Sequence, residues 1–490
     1  MLLVLPIVLP MATAILLQLV PHRIRLSRVL AFAGALGILA TALALLARVD
    51  RGGIQVLQVG GWPAPFGITL VADVFSALLL VMVGIIGAVV TGTSFSGVDP
   101  RREATGYHAL IHVLLMGVSG AFLTGDIFNL YVWFEVMLIA SFVLMALHRT
   151  PAQLQAAFTY VALNLLASAV LLTAIGLLYG QAGTLNLADL ARVWPERRTA
   201  GLDSALAMLF LTAFGIKAAL FPLFFWLPAS YHTPPAAIGA LFAGLLTKVG
   251  VYALIRISTL LFRDGTAMLY PLVVVLSATT MVVGLVAATG QRDFRRVLSF
   301  NLVGHIGFTT VGLGLFTPLA LAGSILYVLH HMLVITGLFL VSGLFLRIRR
   351  TTDLAALGGL YRTQPAVAAL AMIPLFSLAG VPPLSGFIAK LAIVTAAIEV
   401  GRYGLAFIAL AVSLLTLLSM ARCWEEAFWK PAPGGIQTAA IGRGLLAPIL
   451  ALAILTLGLT VGAEPVFEQC RRAAGQLLHP DEYIHAVLGR

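Results

Sequence analysis

The sequence is short of charge, of cysteine and of lysine, and each shortage narrows what the chain can be. Only 10% of its 490 residues are Asp, Glu, Lys or Arg, against ~25% in soluble domains. With 60% hydrophobic residues and a mean hydropathy of +1.03, a water-soluble globule is excluded and a membrane protein is left. Cys423 and Cys470 are the two cysteines and make no metal-ligand or redox pair, so no Cys-ligated iron–sulfur or zinc centre is expected. Neither a GxGxxG nor a GxxxxGKS/T loop occurs, so no phosphate cradle and no cofactor is indicated. The formal charge of +11 does not point to nucleic acid. Its arginines are scattered in short loops between apolar runs, as in polytopic membrane proteins.

A helix needs about 20 apolar residues to cross ~30 Å of hydrocarbon. Fourteen such runs are present, approximately 1–20, 29–47, 68–94, 107–124, 126–147, 157–180, 203–227, 236–260, 267–289, 297–316, 318–346, 365–399, 403–428 and 443–462. The first has its basic residues after it (Arg23, Arg25, Arg28), the reverse of a signal peptide, and reads as a spanning helix. The expected fold is therefore an all-α polytopic bundle forming one membrane domain over 1–490, with 463–490 as a polar surface tail. With the N-terminus outside, 16 loop Lys and Arg fall inside and 10 outside, which predicts that both termini are outside.

Two runs are interrupted by proline. FPLFFWLPASYHTPPAA holds Pro222, Pro228, Pro234 and Pro235; IPLFSLAGVPPLSGF holds Pro374, Pro382 and Pro383. Proline removes a helical hydrogen bond and clashes with the preceding turn, and freed carbonyls are tolerated in lipid only inside protein or beside a wet cavity. Broken seventh and twelfth helices are expected, and paired breaks of this kind point to transporter repeats.

Charges inside the apolar runs are the sharpest signal. Glu135 stands in TGDIFNLYVWFEVMLIASFVLMALHR with no other charged residue from Ile127 to Leu147. The chain has 26 arginines and four lysines, and three of those lysines, Lys217, Lys248 and Lys390, lie within hydrophobic runs. Arginine holds its proton in a protein, whereas a desolvated lysine can release it. At ~2.5–3.5 kcal/mol for each central charge, these four residues cost about 10–14 kcal/mol to insert. Leucine would fill the space, so a role in an ion path is the reading that accounts for them. Against it stands snorkelling of a lysine to the headgroups, weak for Lys217 and stronger for Lys248 and Lys390, which have Arg256 and Glu399 nearby.

Polar stripes recur at helical spacing: Tyr160, Asn164 and Ser168; Asn301, His305 and Thr309; Ser324, Tyr327, His331 and Ser342. The serines and asparagines read as glue between helices. Histidine titrates near neutrality and can pass a proton between its two nitrogens, which keeps His305, His330 and His331 as relay candidates. Adjacent His330 and His331 point some 100° apart and should not face one path. The only carboxylate in this set is Glu135, so no metal or dehydrated-cation cluster is expected.

LTGDIFNLYVWFEVMLIASFVLM, GIKAALFPLFFWLPASYHTPPAAIGALFAGLLTKVGVYALIR and SLAGVPPLSGFIAK resemble the D subunits of the Mrp-type multisubunit Na+/H+ antiporters, over about Asp73 to Trp429. That family is similar to the antiporter-like proton-pumping subunits of respiratory complex I and membrane-bound hydrogenases. The resemblance implies fourteen helices with two inverted five-helix repeats, here 107–260 and 267–428, after three helices in 1–94 and before a last helix at 443–462. It matches the family's fifth-helix glutamate to Glu135 and its seventh-, eighth- and twelfth-helix lysines to Lys217, Lys248 and Lys390. One departure is Ile335, where relatives often have lysine. The resemblance further implies a bacterial cell membrane, sister subunits as partners, and protons with Na+ or another monovalent cation as cargo. It implies a transporter subunit and not an enzyme. The competing reading is the same module in a redox-driven pump; a structural subunit that moves no ion and a stand-alone solute carrier fit the buried charges less well.

Overall fold

The structure is a computed structural model; it describes every residue except 21–22, 101–102, 148, 264–267, 433–440 and 490, and not the side chain of residue 200. Arg101, Arg102 and Arg490, which enter the charge bias, lie outside the described residues.

Thirteen described helices are long and apolar enough to cross a bilayer. Spans one to six are Leu2–Leu19, Ile24–Gly52, Val74–Gly97, Glu103–Leu123, Ile127–Met145 and Pro151–Ala182, and the seventh is Gly201–Ala218. Spans eight to eleven are Ala236–Leu261, Leu269–Thr289, Phe294–Leu315 and Pro318–Arg349; the thirteenth and fourteenth are Tyr403–Trp429 and Arg443–Val461. The predicted twelfth run is two shorter helices in series, Pro365–Ala379 and Ser385–Glu399. The chain is thus the predominantly helical, polytopic membrane protein that its hydropathy predicts, with thirteen membrane-length helices and one broken run among the described residues. Several starts are set by side chains that accept an orphan N–H of the first turn, among them Asp73, Asp126, Thr150, Asp293 and Thr317.

Hydropathy places the start of the third run at 68, but Thr69–Ala72 is a strand paired antiparallel with Gln55–Gln58. The helix begins only at Val74, after Asp73 accepts the Ser76 N–H at 2.9 Å. A short buried apolar strand cannot be told from the start of a helix by hydrophobicity alone. A further helix, Leu187–Arg197, lies between the sixth and seventh spans with Leu187, Leu190 and Trp194 buried. The expected polar tail forms two helices, Ala463–Leu478 and Asp481–Leu488. They have an inner face of Cys470, Ala473, Ala474, Leu477 and Tyr483, all buried.

Both predicted breaks are present. The seventh span ends at Ala218, and Ala219 adopts a left-handed φ of 63°. The Ile216 carbonyl accepts the Ala219 N–H at 3.0 Å and also the Trp226 indole N–H at 2.8 Å, and the Phe221 N–H is taken by the Thr280 hydroxyl at 3.0 Å. The twelfth breaks at Gly380, where φ is 84°, a value glycine reaches without the Cβ penalty. In the seventh span the Thr280 hydroxyl thus replaces the backbone partner that Phe221 loses, as hydrocarbon surroundings require.

Spans eight and eleven are buried over their whole apolar windows, whereas only 22% of the fourteenth is. Lipid does not reach the two central helices, so they can hold polar side chains at mid-depth. Span eight also approaches the seventh-span break very closely. A Cβ on Gly250 would lie 2.5 Å from the Ala218 nitrogen and 2.8 Å from the Lys217 carbonyl carbon, so only glycine fits.

Candidate functional site

The first half of the site joins spans five, six and seven. Asp126 caps the fifth span by accepting the Asn129 N–H at 2.7 Å, and farther along the same helix Glu135 projects toward the sixth. There the Ser168 hydroxyl donates to Glu135 Oε1. The Ser168 oxygen in turn accepts from Lys217 Nζ at 3.1 Å. Carboxylate and ammonium are therefore joined through one hydroxyl, which accepts on one side and donates on the other. Lys217 is 5% exposed, and its Nζ also lies 4.6 Å from the centre of the Phe134 ring, a cation–π contact. Beside it, Tyr160, Asn164, Trp226 and Leu246 help enclose a cavity of about 20 Å³, room for one water molecule. Glu135 itself is only partly buried, less than its apolar sequence neighbours suggest.

The second half gathers around spans eight, ten, eleven and twelve. Lys248, 1% exposed, donates to the Ala243 carbonyl at 2.5 Å, back toward the start of its own helix. His305 Nδ1 is 2.6 Å from the Tyr327 hydroxyl, and the rings of His305 and His331 are 5.3 Å apart. His330 Nδ1 is 2.9 Å from Ser385 Oγ, which is 3.2 Å from Ser377 Oγ across the twelfth-helix break. Lys390 Nζ donates to the Leu378 and Ala379 carbonyls at 3.2 and 3.0 Å. It thus occupies the C-terminal end of Pro365–Ala379, where the helix dipole favours a cation. The same nitrogen is 5.2 Å from the Phe308 ring centre.

Lys248 turns away from Arg256, and Lys390 reaches back across the break and not toward Glu399, so both ammoniums are held inside the protein. His330 and His331 face different neighbours, as their 100° separation requires, yet Tyr327 lies 5.4 and 6.1 Å from their rings and joins both to one cluster. Ring nitrogens His305 Nε2, His330 Nε2 and both of His331 have no hydrogen-bond partner among the described residues. Among those residues no group of three or more His, Cys, Asp or Glu could hold a metal ion.

The stripes divide. Ser324 ties span eleven to the Phe308 carbonyl of span ten, and Asn301 reaches Ser419 of span thirteen at 3.4 Å, so these two are glue; among the described residues Asn164 bonds only the Tyr160 carbonyl of its own helix. Ser168 reads the same way in sequence and instead links the two charges. Two buried ion pairs have no counterpart in the sequence reading. Arg256 meets Asp73 at 2.5 Å, stacked on the rings of Tyr252 and Tyr483. Glu103 accepts two hydrogen bonds from Arg28, at 2.7 and 2.8 Å, and lies 3.6 Å from His108. Each joins residues far apart in sequence, and no local pattern could have paired them.

The family model described as "NADH:quinone oxidoreductase/Mrp antiporter, TM" matches residues 124–416. The D subunit of the Na(+)/H(+) antiporter of Alkalihalophilus pseudofirmus is 43% identical over 488 residues, 99% of each chain. The protein of that name in Bacillus subtilis is 40% identical over 489 residues, again 99% of each. A chain of the Mrp complex from a Dietzia species superposes with a TM-score of 0.93 at 34% identity, covering 100% of this chain and 99% of that one. With identity sustained over essentially the whole length, this chain belongs to the D-subunit family of the Mrp Na+/H+ antiporters, within the wider NADH:quinone oxidoreductase/Mrp antiporter membrane family.

Proposed function

We propose that the chain is an ion-translocating subunit of a multisubunit monovalent cation/proton antiporter, with Glu135, Lys217, Lys248, His305, His330, His331 and Lys390 as its proton relay. The observation that supports this most directly is the line Lys217–Ser168–Glu135. Lys217 can pass a proton to the Ser168 oxygen as Ser168 passes its own to the Glu135 carboxylate, turning an ammonium–carboxylate pair into two neutral groups. In a low dielectric each charge stabilises the other, so making and breaking the pair gates the proton. The unpartnered imidazole nitrogens support a wetted path onward. A dry core would penalise each by ~1–3 kcal/mol, and bridging water removes that penalty.

The same reading treats 107–260 and 267–428 as two inverted repeats. Each contains one span broken at a left-handed residue, Ala219 or Gly380, with a lysine beside the break. It places the protein in a bacterial cell membrane, both termini outside, with sister antiporter subunits as partners. It also makes the chain a transporter part that forms and breaks no covalent bond other than those to protons. Full-length identity to antiporter D subunits favours this over a redox-driven pump.

Two measurements test it. Purified alone into liposomes, the chain should show little or no Na+/H+ exchange, since the described residues offer no carboxylate cluster for the cation; robust exchange by the single subunit would reject the multisubunit reading. In the assembled complex, Ser168→Ala should lower exchange about tenfold, the effect of one lost hydrogen bond to charged groups, and Ser168→Thr should restore most of it. Unchanged exchange in Ser168→Ala vesicles would remove the hydroxyl from the path.

A further inference from the structure

A large cavity that is not part of this relay lies at the basic end of the bundle. It has a volume of about 380 Å³, within the ~300–1,000 Å³ range of ligand pockets. Thr93 and Ser96 at the end of span three, Gln153 at the start of span six and Arg295 at the start of span ten line its polar side; Leu445 and Ile449 of span fourteen line an apolar side. Arg347 also borders it.

Arg295 is 6% exposed. Its Nε donates to Ser342 Oγ at 2.9 Å and its Nη1 to the Pro234 carbonyl at 3.0 Å. Nη2 has no partner among the described residues. The closest acid in sequence, Asp293, is engaged elsewhere: it accepts from the Arg296 N–H and the Thr352 hydroxyl. No carboxylate among the described residues hydrogen-bonds this guanidinium, although Asp293 attracts it from nearby; a buried guanidinium with an open donor in a membrane protein calls for a further partner. The N-terminus of span eight opens onto the same cavity through Pro235, Ala236 and Ala237 with no side-chain cap. Its positive dipole end also selects an anion. Gln153, 4% exposed, contributes an unpartnered acceptor, Oε1, at the same cavity.

We propose that this cavity is a binding site for the headgroup of an anionic phospholipid that also carries a hydroxyl, of the phosphatidylglycerol type. The phosphodiester oxygens accept from Arg295 Nη2 and face the span-eight N-terminus and Arg347, while a glycerol hydroxyl donates to Gln153 Oε1. A lipid fits better than free phosphate because one wall is apolar and belongs to span fourteen. That span is the least buried of the thirteen single-helix spans and has outward-facing Leu450, Ile454 and Leu457, a surface along which acyl chains reach the site. The basic end of a bundle is also where the anionic leaflet is expected.

The test uses the intact antiporter complex, stripped of lipid in detergent. Phosphatidylglycerol, phosphatidylethanolamine and inorganic phosphate are added separately, with bound lipid counted by native mass spectrometry and stability followed by thermal shift. Phosphatidylglycerol alone should bind and raise Tm. Arg295→Gln should weaken its binding about tenfold, as loss of a charge-assisted contact does. Leu445→Trp, which fills the acyl side and leaves Arg295 in place, should weaken it too, and it decides the matter if the Arg295 variant does not assemble. Equal phosphatidylglycerol binding by wild type and the assembling variants overturns the proposal. So does a Tm rise produced by inorganic phosphate, which marks a free-phosphate site, or no response to any of the three, which leaves only water at Arg295.

Discussion

Glu135→Gln should abolish Na+-dependent dissipation of ΔpH in everted vesicles while the complex still assembles on a native gel. The substitution is nearly isosteric, and its carbonyl oxygen can still accept from the Ser168 hydroxyl, so the Lys217–Ser168 contact at 3.1 Å should survive. What is lost is the ability to take up a proton and the charge that stabilises the Lys217 ammonium. A positioned proton acceptor contributes ~10²–10⁴-fold to proton transfer, so exchange should fall by that factor or to background. Glu135→Asp retains the carboxylate one methylene short of Ser168 and should keep some activity. Lys217→Ala should mimic the Gln variant, and Lys217→Arg should be nearly inactive because a permanent cation holds the pair in its charged form. Wild-type exchange by a fully assembled Glu135→Gln complex would show that the three residues are structural.

Lys390→Arg should stop exchange as completely as Lys390→Ala. Arginine keeps the positive charge that satisfies the Leu378 and Ala379 carbonyls, so the break in the twelfth span should hold its shape. It cannot release its proton, and turnover should drop about 10²-fold or more. Near-normal exchange by the arginine variant would mean that Lys390 serves only as an electrostatic cap on the half-helix. The double readout, exchange rate beside complex abundance, separates that outcome from simple misfolding.

The spans were legible in the sequence because hydrocarbon thickness imposes a length that a run of apolar letters records directly. The breaks were legible because proline leaves no choice of backbone, and Glu135 and the three lysines because inserting a charge has no cheaper explanation. The contacts were another matter. Ser168 looks the same in sequence as Ser324, and only the fold shows that one lies between two charges and the other bonds a carbonyl. Asp73 and Arg256 are each ordinary near a helix end; their 2.5 Å contact depends on how spans three and eight pack. The strand Thr69–Ala72 passes for part of a helix because burial on every residue erases the alternation that identifies a strand.

The terminal helices have a consequence for how the chain is made. Arg256 is covered on one side by the Tyr483 ring, the Val74 N–H at the head of span three is taken by Gln476 at 3.1 Å, and Asp50 is held by Arg472. All three partners follow span fourteen in the sequence. Synthesis proceeds from the N-terminus, so the nascent chain holds Asp73 and Arg256 without their cover until Gln476 and Tyr483 have been made. Closure of the first spans around this pair therefore waits on the helices that follow span fourteen, and a product truncated before them should keep the Asp73–Arg256 seam open.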